Sequence, residues 1–276
     1  MKSVDQAIYT KNYYLHTCLG SEEFKKFHGE KIHPEVKSLL TMISIKKGMK
    51  ILDLGCGRGD VAFFLQKKGA IVTGIDYATA AVQIAKNTLG EKDKAVQRNI
   101  SFYIMDAKKL KFENNIFDAV LALDVFEHLY KEELETALSE IYRVLKKQGI
   151  LLVHTEVNKL YLDVMHKMYV YPVSTLLLFF NKLITRKEYP GLSNDPRSDV
   201  HKAQHVNEPT FFYLKRLFKR HFFAGKIISK IGLAKPILSW KDRIYNAIVL
   251  WYPLSKLAPF HYFFATDYIC IMKKKV

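Results

Sequence analysis

The run Met49-Lys50-Ile51-Leu52-Asp53-Leu54-Gly55-Cys56-Gly57-Arg58-Gly59-Asp60 constrains this chain more than any other stretch. Its apolar start reads as a short buried strand, its alternating glycines as a tight turn, and its last residues as the entry to a helix. Glycines there allow positive φ and keep Cβ atoms away from a ligand that approaches the backbone. A strand that feeds a helix through such a turn brings bare N–H groups to a ligand at the edge of an α/β sheet. The rest of the first half agrees. A helix over 60–68 ends at Gly69, and strands at 70–76, 100–105, 117–123 and 150–155 alternate with helices at 79–89 and 132–145. That alternation predicts a parallel sheet covered on both faces. Three of the strands run into an acid: Asp76, Asp106 and Asp124.

The flanks read differently. Residues 3–33 are rich in Tyr, Phe, His and Lys, with a short helix at 21–27 capped by Ser21, and Pro34 suits the first turn of a helix over 34–44. After Glu156 the sequence predicts an unusually apolar helical stretch at 159–185, a long loop at 186–209 and a helix at 210–221. A sixth strand at 222–229, an aromatic-rich helical stretch at 237–257 broken at Pro253, and a last strand at 264–272 complete the chain. The basic excess sits in this second part, where residues 156–276 hold 20 Lys+Arg against 8 Asp+Glu. Such a balance favours an anionic partner, or else simply solvates the surface. Cys18, Cys56 and Cys270 form no paired spacing, which argues against a disulfide framework or zinc knuckle and for a reducing, cytoplasmic setting. The N-terminus, Met1-Lys2-Ser3-Val4-Asp5-Gln6, lacks the apolar run of a signal peptide.

The glycine turn discriminates between ligand classes. A dinucleotide turn spaces its glycines G-x-G-x-x-G, and Asp60 stands where the third would be. An acid there, with Asp53 just ahead of the turn, would repel a pyrophosphate and suit a ligand carrying a sulfonium and an α-ammonium group. This favours S-adenosylmethionine over a nicotinamide dinucleotide. Leu52-Asp53-Leu54-Gly55-Cys56-Gly57-Arg58-Gly59 resembles the first motif of the class I S-adenosylmethionine-dependent methyltransferases, in their ubiquinone-type, small-molecule branch. Gly74-Ile75-Asp76-Tyr77 resembles the second motif, whose acid accepts two hydrogen bonds from a ribose diol. Met105-Asp106-Ala107 resembles the adenine segment, and the stretch from Phe117 through Asp118, Leu123 and Asp124 to Leu129 resembles the fourth-strand motif. The resemblance implies a doubly wound, seven-stranded, mostly parallel Rossmann-like α/β sheet, its last strand antiparallel, with a helical insertion after strand 5. It implies one methyltransferase domain over 1–276: an N-terminal cap (1–33), a cofactor-binding core (34–158), an insertion acting as substrate lid (159–209) and a C-terminal part (210–276). It implies cofactor contacts at Asp53, Gly55, Cys56, Gly57, Asp60, Asp76, Tyr77, Asp106, Ala107, Leu123 and Asp124.

The family reaction is attack of a nucleophile on the sulfonium methyl, so a base matters where the acceptor must lose a proton. His128, just past the fourth strand, is the candidate, with packing against the next helix as its alternative. Asp124, Glu127 and His128 with the distant His205 are similar to the Glu-x-x-Glu-His set that holds a divalent metal in ubiquinone-type O-methyltransferases and small-RNA 2′-O-methyltransferases. Asp124 departs from that set, and no metal is expected. Tyr13, Tyr14 and His28 are further candidates in the N-terminal cap, which the resemblance folds over the cofactor. The acceptor expected is small or amphiphilic (a lipid, quinone precursor or glycan) and methylated on oxygen. RNA methylation and a non-catalytic cofactor-binding module are the alternatives. The chain has no Asn-Pro-Pro-Tyr motif, no Pro-Cys pair and no separate RNA-binding module, so nucleic acid ranks second. The apolar stretches at 159–185 and 237–263 are expected to form core or a pocket lid. Their uncharged runs fall short of the ~20 residues a bilayer needs. Flanking Lys and Arg leave an in-plane helix on the inner membrane face as the alternative.

Overall fold

Seven strands form one sheet: β1 (Lys50–Leu54), β2 (Ile71–Asp76), β3 (Ile100–Ile104), β4 (Phe117–Leu123), β5 (Leu145–Glu156), β6 (Phe223–Lys230) and β7 (Asp267–Lys274). Their order is β3-β2-β1-β4-β5-β7-β6. The first five pair in parallel, and β7 runs antiparallel to both β5 and β6. The computed structural model describes residues 4–188, 190–234 and 239–275.

The helices are α1 (Ser21–Phe27), α2 (Pro34–Leu40), α3 (Asp60–Lys67), α4 (Thr79–Gly90), α5 (Lys94–Gln97), α6 (Lys131–Val144), α7 (Tyr171–Thr185), α8 (Asp199–Gln204), α9 (Phe211–Arg220), α10 (Trp240–Leu250) and α11 (His261–Phe264). Parallel strands need cover on both faces, and side-chain alternation supplies it. Ile51, Ala119, Leu121 and Leu152 pack with Leu39 of α2, Phe63 of α3 and Val82 of α4. Leu52, Val120, Ala122 and Val153 point the other way, toward Leu134 and Leu138 of α6 and Leu214 and Phe218 of α9. Asp118 ties the outer end of the sheet, its carboxylate accepting from Lys50 N at 2.8 Å and pairing with Lys146 at 2.6 Å. The strand order reverses between β1 and β4, which are parallel neighbours, and a ligand crevice opens outside the carboxyl ends there.

Several expectations need correction. Ser21 is the first residue of α1, and Gly20 occupies the N-cap with φ of 76°, which needs no side chain. β5 begins at Leu145, directly after α6, and reaches its regular register with β4 past an irregularity between Phe117 and Ala119. The long loop at 186–209 contains α8, started by the Ser198 hydroxyl accepting from His201 N. The last strand starts at Asp267, because Phe264 closes α11. The stretch at 237–257 is helical only from Trp240 to Leu250, and Ile237 and Leu238 lie outside the described residues. The largest departure is α7. It continues a π-helical run, Tyr161–Val170, as one 25-residue helix, and only 11% of its most apolar window is buried. Neither it nor α10 lines the crevice; of the insertion 159–209 expected as a lid, the part from Ser198 to His205 does.

Candidate active site

A cavity of about 900 Å³ lies over the carboxyl ends of β1, β2 and β4. Its floor is the glycine turn. Gly55 N and Cys56 N both donate to the Ile75 carbonyl, at 2.8 and 2.9 Å, which locks the turn to β2. A Cβ on Gly55 would stand 2.5 Å from Val125 Cγ2, and one on Gly59 2.6 Å from Phe102 Cζ. Those two glycines therefore serve close packing within the protein, not ligand approach. At Gly57 the nearest atom to such a Cβ is Tyr14 Cε1 at 3.6 Å, across the turn from the N-terminal cap.

All eleven residues expected at the cofactor line this cavity: Asp53, Gly55, Cys56, Gly57, Asp60, Asp76, Tyr77, Asp106, Ala107, Leu123 and Asp124. Their electrostatics differ. Asp53 is buried, and its Oδ2 has no hydrogen-bond partner among the described residues. Burial, with the nearby charges of Asp76 and Asp60, raises its pKa to about 7. Asp76 accepts from Gly57 N at 3.0 Å and Ala78 N at 2.9 Å. Burial still lifts it to about 6 against those two donors. Asp60 does not add an open negative charge as its place in the sequence suggests, because Arg58 Nη2 donates to its Oδ2 at 2.8 Å. Asp106 uses Oδ1 to accept from Lys108 N at 2.8 Å and pairs with Lys108 Nζ at 3.3 Å, which also meets Glu133.

Arg58, by sequence only a spacer between glycines, is a clamp. It is buried, and it donates to the carbonyls of Tyr14 at 2.5 Å and Leu19 at 2.7 Å. Its guanidinium also lies 5.1 Å from the Phe24 ring centre. The N-terminal segment is thereby pinned across the glycine turn, and Tyr9, Tyr13 and Tyr14 form its inner face. His28 lies apart, exposed and 3.9 Å from Glu91.

The opposite wall comes from the end of β4 and from α8. Asp124 sits at φ 56°, with its amide donating to the His154 carbonyl at 3.0 Å. Its Oδ1 is 2.5 Å from His154 Nδ1, and His154 Nε2 is 3.7 Å from Asp267. Burial disfavours charge on His154, but its two carboxylate partners outweigh that and raise it to about 10. It is thus an imidazolium bridging β4 and β7. Glu127 is buried and accepts from Thr155 Oγ1 at 2.8 Å. Burial and the Asp124 charge push it well above the usual carboxylate range.

His128 Nδ1 faces the Gln204 carbonyl at 3.2 Å and the Tyr9 hydroxyl at 3.0 Å. A carbonyl only accepts, so these partners assign the proton to Nδ1 and leave the lone pair on Nε2. Burial lowers the His128 pKa, so the ring is neutral. His205, 77 positions further on, reaches it because Val206 N and Asn207 N both donate to the Glu127 carbonyl, at 2.9 and 3.1 Å. The His128 and His205 rings lie 5.0 Å apart, and His201 stacks on His205 at 5.1 Å. One ligand atom each from Glu127, His128 and His205 falls within 4.8 Å of the others, compact enough for a cation. Tyr9, Lys108, His154 and Gln204 carry no local signal in the sequence; each acts through a contact at least 25 positions away in the chain.

The donor set fits S-adenosylmethionine. Asp53 offers an orphaned buried oxygen for an ammonium group, and Asp76 stands at the end of β2 where a diol can be met by a carboxylate. Comparison with known proteins agrees. A family described as a methyltransferase domain matches residues 52–153. A demethylmenaquinone methyltransferase of Staphylococcus aureus is 28% identical over 214 residues, 75% of this chain and 82% of that protein. A sterol 24-C-methyltransferase of Gibberella zeae is 41% identical over 114 residues, 39% of this chain and 28% of that one. Among solved structures, a SAM-dependent methyltransferase from Methanosarcina mazei superposes with a TM-score of 0.52 at 17% identity, covering 89% of this chain and 99% of that one. At that identity the likeness speaks for the fold alone.

Proposed function

We propose that this chain is a class I S-adenosylmethionine-dependent methyltransferase that methylates an oxygen of a small lipophilic or amphiphilic acceptor, with His128 as the base. When bound, the cofactor supplies a sulfonium methyl as electrophile. The chain's own residues do the rest. Asp53 and Asp76 would hold the cationic and diol ends of the donor, and the Arg58-pinned N-terminal segment would cover it against water. The fixed tautomer of His128 carries the reading: Nδ1–H is spent on Gln204 and Tyr9, so Nε2 can take the acceptor's proton.

The acceptor class has its own support. The two relatives are named for a quinone and a sterol, both largely apolar molecules. Val36, Ile32 and Val200 share the cavity wall with His201 and His205, which suits an apolar body with a polar reacting end. Transfer of labelled methyl groups by the purified chain into separated lipid, glycan and RNA extracts tests it. Label in the organic-soluble fraction as a methyl ether is expected. Label confined to RNA overturns the acceptor, and no binding of the cofactor by titration calorimetry overturns the enzyme.

A further inference from the structure

The lobe that follows β5 leaves an apolar face uncovered. One side of α7 and of its π-helical lead packs on α10: Tyr169 Oη donates to the Ile248 carbonyl at 2.7 Å, and Trp251 Nε1 donates to Tyr169 Oη at 2.7 Å. The Ser174 and Tyr245 hydroxyls lie 2.5 Å apart, and Val170, Val249 and Phe264 fill the seam. The far side carries Leu176, Phe179, Phe180 and Leu183 at helical spacing i, i+3, i+4, i+7, so they form one stripe. Phe179 is 55% exposed and Ile184, on the last turn, 81%. On α10, Trp240 is 66% exposed. Contiguous apolar surface of this kind on a folded chain marks an interaction site.

Charge says what covers it. Residues 159–188 hold five Lys or Arg against two acids: Asp163, which lies 3.5 Å from Lys159 and 3.4 Å from Lys167, and Glu188, which pairs with Lys182. Lys182, Arg186 and Lys187 cluster at the open end of the stripe, and Lys241 and Arg243 flank Trp240. An apolar and aromatic stripe rimmed by cations is the composition of a helix lying in an anionic bilayer interface. We infer that α7 and α10 dock this enzyme on an anionic lipid bilayer, with α7 in the membrane plane. The helix is long and apolar enough to span. Its packing opposes that, since buried His166 donates from Nε2 to the Ser193 carbonyl at 2.7 Å and Ser174 holds α10, so spanning would drag the domain into hydrocarbon.

The lobe is also placed to feed the cavity. Glu156 lines the cavity and Tyr161 opens the helix, five residues or at most about 18 Å further. The return segment re-enters the cavity wall at Ser198 and Val200. A lipid-dissolved acceptor would need only a short transfer. Docking itself does not depend on the acceptor's identity.

Flotation with vesicles tests it, using phosphatidylcholine alone and phosphatidylcholine with about a third phosphatidylglycerol. Of the chain's two tryptophans, Trp240 stands open and reports from the surface itself, while Trp251 sits at the seam between the two helices. Binding to the anionic vesicles with a blue-shifted emission, and little binding to the neutral ones, is expected. A Phe179→Ser, Leu183→Ser variant should lose about tenfold or more in partitioning while keeping its S-adenosylmethionine affinity, which also shows that it folds. Absent binding, or binding that the variant leaves unchanged, overturns the inference. So does a sedimenting dimer that the same variant abolishes without any vesicle binding, since the face would then meet a second copy.

Discussion

β1 and α7 draw on the same residue types and treat them in opposite ways. Ile51, Leu52 and Leu54 of β1 are closed to solvent, while Leu176, Phe179 and Leu183 of α7 stand open. The difference is cover. β1 has α2, α3 and α4 on one face and α6 and α9 on the other, whereas α7 meets α10 along one side only. Apolarity thus builds a rigid wall for the methyl donor in one place and an unpaired face in the other. The first must hold acids within ångströms of fixed positions, and the second need only stay apolar and rimmed by cations.

Substitutions can break that contrast. His128→Gln should lower turnover by about 10²–10⁴-fold with cofactor binding retained, read by methyl-transfer kinetics beside calorimetry. Gly59→Val forces a Cβ toward Phe102 at φ 87° and should cost about 3 kcal/mol in a urea titration. Ile184→Ser on α7 should move the same midpoint by less than about 0.5 kcal/mol, because nothing packs there to be lost. Equal effects at the two positions would erase the distinction. A pH-dependent effect comes from His154. Its folded pKa of about 10 lies above the unfolded value of about 6.5, so its stabilisation is complete below about pH 6.5 and is lost as pH rises through 10. Thermal melts from pH 7 to 10 should fall more steeply for the wild type than for His154→Gln. If His128 acts as a free base, chelators leave turnover unchanged; loss on chelation, restored by a divalent cation, would instead make the Glu127–His128–His205 cluster a metal site.

The sheet was legible because period-2 apolar runs, glycine turns and strand-end acids are local signals, and each acid emerges at the cavity that the strand order creates. Charge pairing was not. Asp60 has the look of an open negative charge until Arg58 folds back on it, and nothing local marks His154 as the bridge between Asp124 and Asp267, 143 positions apart. The lobe was misleading for a different reason. A stretch such as Leu176-Leu177-Leu178-Phe179-Phe180 has the composition of a core helix, and only the lack of a covering element, a tertiary fact, puts it at the surface.

The glycine turn is held here to be a cradle for a cationic methyl donor, and Asp53 is the group that makes it one. Its carboxyl, raised to about 7, must ionise before it can meet an ammonium group. Calorimetric titration with S-adenosylmethionine at pH 6, 7 and 8 should therefore show affinity rising with pH, and Asp53→Asn should lose both the affinity and its pH dependence. The same variant should melt at a higher temperature than the wild type at pH 8, because it no longer buries a charge without a partner. Affinity that ignores pH and survives Asp53→Asn would contradict the cradle.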